Sequence, residues 1–137
     1  MTELTQALPQ TISIEGITNP VILAYFENLN REDYQAAASL FAPEGALHPP
    51  FEEPIVGAEA ITAYLQAEAK GMKLAPRQGI METLEDDSQQ YQISGKVKTP
   101  LFSVNVGWKF ILTPLQEIIF VEVKLLASPQ ELLNLRR

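Results

Sequence analysis

Tyr25 and Trp108 are the side chains whose type and setting point most directly to a binding chemistry. Tyr25 stands on an apolar stripe at helical spacing with Val21, Ile22, Phe26 and Leu29. Trp108 alternates with Val106 and Phe110 on one face of a strand-like run. Each carries one donor hydrogen at the tip of an apolar body, and a buried donor needs an acceptor. Two readings stay open. Both tips bond backbone carbonyls in an ordinary core, or both converge on one acceptor oxygen of an apolar guest. Proton-transfer catalysis is poorly supplied by comparison, because it needs a carboxylate or histidine inside an apolar pocket. The aspartates are Asp33 on the polar side of a helix and Asp86-Asp87 in a turn, and the one histidine, His48, precedes Pro49-Pro50 as a rim or structural residue. Glu68 lies beside Ala67 and Ala69 on a helix, near the expected mouth, where a solvated carboxylate is the plainer reading. No glycine-rich phosphate loop or serine elbow occurs. With no cysteine and one histidine, thiolate chemistry is excluded and a zinc site is not expected.

The elements that must position these residues are legible from periodicity and breakers. Residues 1–12 read as a loose polar arm. Asn19-Pro20 starts a helix, asparagine as the cap and proline at the first position, running to about Asn30. A second helix is predicted over Arg31–Phe41 and a third over Ala58 to about Lys70, with a short strand at Ala46–His48 between them. Four strands follow at Gln78–Glu85, Gln89–Thr99, Phe102–Thr113 and Glu117–Leu126, separated by Asp86-Asp87-Ser88, Pro100 and Pro114. The last of these places Ile118, Phe120, Glu122 and Lys124 on one face, a mixture that suits a protein interface with a polar rim. A terminal helix starts at Ser128, with Glu131 at capping-box spacing, and carries Leu132 and Leu133. It is expected to dock over the sheet or the cavity mouth as a mobile tail over 128–137.

Three helices, a curved antiparallel sheet and a short terminal helix make one α+β domain over residues 1–137. Helices laid across a strongly bent sheet give a cone with an apolar mouth, a pattern that resembles the nuclear-transport-factor-2-like superfold. That fold hosts many functions and decides none. The formal net charge of −7 argues against nucleic acid or an anionic membrane as a constitutive partner. The lysines and arginines are scattered along the chain, apart from Arg136-Arg137. The amino-terminal stretch lacks the pattern of a signal peptide, and no apolar run reaches spanning length, so a cytoplasmic protein is expected.

Beyond these patterns, the text of the chain from about Ser13 to Leu135 resembles the C-terminal domain of the orange carotenoid protein family and its free-standing homologues. The resemblance is carried by Ser13-Ile14-Glu15-Gly16, by Tyr25 with Asn28-Leu29-Asn30, and by Pro49-Pro50-Phe51 with Pro54-Ile55-Val56-Gly57. Gly95-Lys96-Val97, Thr99-Pro100, Trp108 and Leu125-Leu126-Ala127-Ser128-Pro129 extend it. It implies that Tyr25 and Trp108 are the donor pair for the keto oxygen of a carotenoid such as canthaxanthin, echinenone or 3'-hydroxyechinenone. Met72 falls at an apolar tunnel position, with Val106 and Phe110 beside Trp108. Glu68 matches a carboxylate that pairs with an arginine of a second domain in the two-domain relatives. Leu101 stands where those relatives carry an aromatic residue. The resemblance further implies a carrier and singlet-oxygen quencher, a non-enzyme, that exchanges pigment with helical carotenoid-binding proteins. Transient membrane contact during pigment uptake is also expected. A ketocarotenoid is a rod of roughly 30 Å, against a radius of gyration of about 14 Å for a compact chain of this length, so a homodimer is expected to cover the remainder.

Overall fold

The computed structural model describes residues 12–126. Its elements in chain order are α1 (Pro20–Asn30), α2 (Tyr34–Ala38), β1 (Phe41–His48), β2 (Ile55–Val56), α3 (Ala58–Glu68), β3 (Lys73–Thr83), β4 (Gln89–Lys98), β5 (Ser103–Leu112) and β6 (Ile118–Leu126). The six strands form one sheet in the order β2-β1-β6-β5-β4-β3. All neighbours are antiparallel except β1 and β6, which run parallel, so the sheet is mixed where the sequence suggested an antiparallel one.

α1 begins as its sequence dictates. The Asn19 side chain accepts from the N–H groups of Val21 and Ile22, and Pro20 occupies the first turn, where a missing N–H costs nothing. The Asn19 amide also donates to the Tyr91 hydroxyl at 3.0 Å and to Gln116 at 2.8 Å, which ties the start of α1 to β4 and to the β5–β6 turn. At its other end Asn30 exchanges two hydrogen bonds with the backbone of Leu74, at 2.7 and 2.9 Å. Helix α1 is thus pinned at both ends across the sheet, and it buries Ile22, Tyr25, Phe26 and Leu29. Phe26 packs edge-on against Trp108 with ring centroids 4.9 Å apart, and Tyr25 packs edge-on against Phe110 at 5.2 Å.

Several boundaries differ from the sequence reading, each for a local reason. α2 spans Tyr34–Ala38 only, because Asp33 caps it by accepting from Ala36 N–H and Phe41 already belongs to β1. β1 is eight residues long, with an irregular register against β6 between Phe41 and Ala46. β3 starts at Lys73, not Gln78; it runs through Pro76, which an edge strand tolerates because it lacks only a donor to solvent. A bulge at Arg77 then shifts its register. Residues 1–11 of the expected loose arm lie outside the described residues. Ile14 and Ile17 are buried, and Glu15 bonds with Arg77 and Gly79 to cover the middle of the β3 edge. Gly16 permits this approach, since it has φ +88° and a Cβ there would collide with the Gly79 carbonyl oxygen.

Ile118 is corrected most sharply. It is fully buried, paired with Leu112, because Ile119 is an extra residue between the pairs Leu112–Ile118 and Ile111–Phe120. The bulge turns Ile118 inward, while Phe120 and Glu122 stay half-buried on the outer face beside His48. Ile118 therefore belongs to no exposed interface. The terminal helix with Leu132 and Leu133 lies outside the described residues.

Candidate functional site

The concave side of the sheet and the helices enclose an apolar cavity of about 290 Å³, near the lower limit of pockets that take organic ligands. Tyr25 and Leu29 from α1 form one wall, and Val106 and Trp108 from β5 form the opposite one. Tyr64, Leu65 and Glu68 from α3 close a third side. Met72 and Leu74 line it at the start of β3, and Pro49-Pro50, Phe102 and Leu125 stand toward the opening.

Its polar equipment is sparse. Among the described residues neither the Tyr25 hydroxyl nor the Trp108 indole N–H donates to a protein acceptor; the one buried side-chain polar atom sealed away without a partner is the Tyr34 hydroxyl. Both residues are nearly buried, at 2% and 3% exposed, yet both face the cavity. Among the described residues the carbonyl partners of the core-aromatic reading are not found for either tip. Two donors that lack an acceptor among the described residues and open into one apolar space fit a guest that brings one. Burial pushes the Tyr25 phenol well above its ordinary value, with the Tyr64 hydroxyl adding to it, so Tyr25 is a donor at every ordinary pH.

The other sequence candidates divide. Val106 and Met72 line the cavity as expected. Phe110 does not: it is fully buried behind Tyr25, two residues deeper on the strand than Trp108. Its spacing is right and its depth is wrong, because the rings of Tyr25 and Phe26 pack over it. Glu68 is exposed and lines the opening. Tyr64 is the residue that sequence reasoning placed only in an apolar stripe. Its hydroxyl donates to Glu52 Oε2 at 3.3 Å, and its pKa is pushed up to about 12 by burial first, then by Glu52 and Glu68. The signal for it was the four-residue spacing from Tyr64 to Glu68, which sets both on one helix face.

With the geometry in place, the relatives are informative. A model of the SnoaL-like domain matches residues 22–83. The orange carotenoid-binding protein of Limnospira maxima is 47% identical over 128 residues, covering 90% of this chain and 40% of that protein. The chain spans about 40% of the length of the curated relatives it matches. Among solved structures, the orange carotenoid protein of Anabaena (Nostoc) sp. PCC 7120 binding canthaxanthin superposes with a TM-score of 0.84 at 43% identity, covering 90% of this chain and 41% of that one. A putative polyketide cyclase from Sinorhizobium meliloti, 19% identical with a TM-score of 0.64 over 77% of this chain and 94% of its own, shares the fold alone. The chain is a homologue of the C-terminal domain of the orange carotenoid proteins, built on the α+β fold of SnoaL-like, nuclear-transport-factor-2-like domains.

Proposed function

We propose that this protein is a ketocarotenoid carrier and singlet-oxygen quencher, with one end ring of the pigment held in the cavity between Tyr25 and Trp108. The observation that carries the reading is the pair of donors, without a protein acceptor among the described residues, that line one largely apolar space. A carotenoid-binding relative at 47% identity supports the class of guest, and canthaxanthin in the Anabaena protein supports a ketocarotenoid. Echinenone and 3'-hydroxyechinenone present the same keto ring. Two charge-neutral donors on one carbonyl draw electron density toward that end of the polyene and move its absorption to the red. The protein supplies orientation and exclusion of water while the pigment quenches.

An acid–base enzyme is less well served. Among the described residues that line the cavity, the one carboxylate is Glu68, and it is exposed, whereas Tyr25 and Trp108 are buried. A second copy of the chain covers the rest of the rod, and pigment passes to helical carotenoid-binding partners through the same opening. No helix among the described residues is long and apolar enough to cross a membrane. The deciding experiment is expression in a host that makes canthaxanthin or echinenone. Purified protein should be coloured and absorb to the red of the free pigment. Colourless protein from a pigment-rich host overturns the reading.

A further inference from the structure

The polar side chains around the cavity differ in what they offer a guest. Tyr25 and Trp108 each bring a donor hydrogen that has no protein acceptor among the described residues. Thr99 is engaged within its own turn. Its hydroxyl donates to the Phe102 carbonyl at 2.9 Å and accepts from the N–H groups of Leu101 and Phe102. Tyr64 differs from all three. Its single proton goes to Glu52 Oε2 at 3.3 Å, so what its hydroxyl has left for the cavity is an acceptor lone pair. Two free donors and an acceptor with a committed proton thus line one small apolar space.

The chain builds this acceptor from two sides. On α3, Ile61 and Leu65 are buried and fix the helix against the core, which leaves Tyr64 half-buried at the cavity wall. Glu52 comes from the loop between β1 and β2, which Pro49, Pro50 and Pro54 restrict. Within it Phe51 adopts φ +63°, a left-handed conformation that an aromatic residue rarely enters. Phe51 is 93% exposed, so packing of its ring does not account for the strain. The turn at Phe51 instead carries the next residue, Glu52, to the Tyr64 hydroxyl. Strain of this kind persists where the surroundings hold it, and it gathers at working sites. Burial, then Glu52 and Glu68, push the Tyr64 pKa up to about 12, so the proton stays on the phenol. Tyr64 is also near enough to Tyr25 to push that phenol up in turn.

We propose that Tyr64 makes the cavity selective for an end ring that carries a hydroxyl beside its keto group. Tyr25 and Trp108 donate to the keto oxygen, and the ring hydroxyl donates to Tyr64. The inference rests on the reading of the cavity as a ketocarotenoid site and names the ring it prefers. A ring hydroxyl taken into a purely apolar space loses its water partners and weakens binding. Paired with Tyr64 it keeps one, and a single neutral hydrogen bond is a gain of about fivefold in affinity. Glu52 acts as a positioning residue, because it holds the Tyr64 proton away from the guest. Glu68, one turn along α3, is the competing acceptor, but it is exposed, where water competes for it.

The test is a competition between canthaxanthin, with a plain keto ring at each end, and astaxanthin, with a hydroxyl on the carbon next to each keto group. Pigment-free protein is mixed with an equimolar excess of both in detergent micelles and repurified, and its pigments are extracted and separated. The parent should favour astaxanthin, and the bound ratio should fall by about fivefold in Tyr64→Phe. Glu52→Ala, at an exposed position, should lower the ratio in the same direction, because it frees the Tyr64 proton. It also carries the test if circular dichroism shows that Tyr64→Phe does not fold. An unchanged ratio in either folded variant overturns the proposal. So does a ratio that holds in Tyr64→Phe and falls in Glu68→Gln, which would assign the ring hydroxyl to Glu68. A parent that takes up both pigments equally, or prefers canthaxanthin, overturns the selectivity and leaves the carrier reading standing. A parent that takes up neither removes the carrier reading, and this inference with it.

Discussion

Tyr25 and Trp108 reach the cavity from a helix and a strand that are far apart in sequence, and each brings one donor hydrogen. On the proposed reading, Tyr25→Phe and Trp108→Phe each leave the keto oxygen short of a buried partner, at about 1–3 kcal/mol per donor. Pigment retention should fall accordingly, and the absorption of each loaded variant should move to the blue of the parent. A double variant with the parent's spectrum and affinity would show the pair to be mere packing. The Tyr25 phenol also makes a prediction without pigment. Burial raises its pKa in the folded state, so the folded protein keeps this proton where an unfolded tyrosine, near pH 10, releases it. Stability is fully present below about pH 10 and declines above it, by up to about 1.4 kcal/mol per pH unit for this one group. Urea titrations at rising alkaline pH should show a shallower decline in Tyr25→Phe, and identical declines would place the titration elsewhere. Both residues were legible from periodicity. What the sequence could not show was that neither tip has a protein acceptor among the described residues, or that Phe110, on the same face as Trp108, is fully buried behind Tyr25.

At the level of elements, α1 sets where Tyr25 points, and Asn19 sets α1. Its amide caps two N–H groups and also holds the Tyr91 hydroxyl. Asn19→Ala should therefore destabilise the fold by about 1–2 kcal/mol, at the upper end for a lost cap, as measured by chemical denaturation. A change below a few tenths would mean that Tyr91 and the first turn find other partners. α1, β4 and β5 were read from sequence nearly to the residue, since caps, clean alternation and the Pro100 turn are all local signals. β3 and β6 were not. Pro76 argues against a strand unless the strand is known to lie at the edge, and edge status is decided by strands elsewhere in the chain. The bulge that turns Ile118 inward has no local mark either, because three apolar residues in a row at Ile118-Ile119-Phe120 suit either face.

Taken whole, the molecule offers its guest only about 290 Å³, a fraction of a long polyene. Loading should therefore raise the mass in sedimentation to two chains with one pigment between them; a loaded monomer with a full-length pigment would contradict the proposed dimer. The parallel seam between β1 and β6 has a further consequence, for the order of events in synthesis. β1 and β2 join the sheet solely through β6, the last described strand. On a ribosome β3, β4 and β5 can pair one after another as they emerge, whereas β1 must wait for residues 118–126. Pairings of such sequence separation form slowly. The cavity itself is completed last, because Val123 and Leu125 of β6 line it together with α1, α3 and β5.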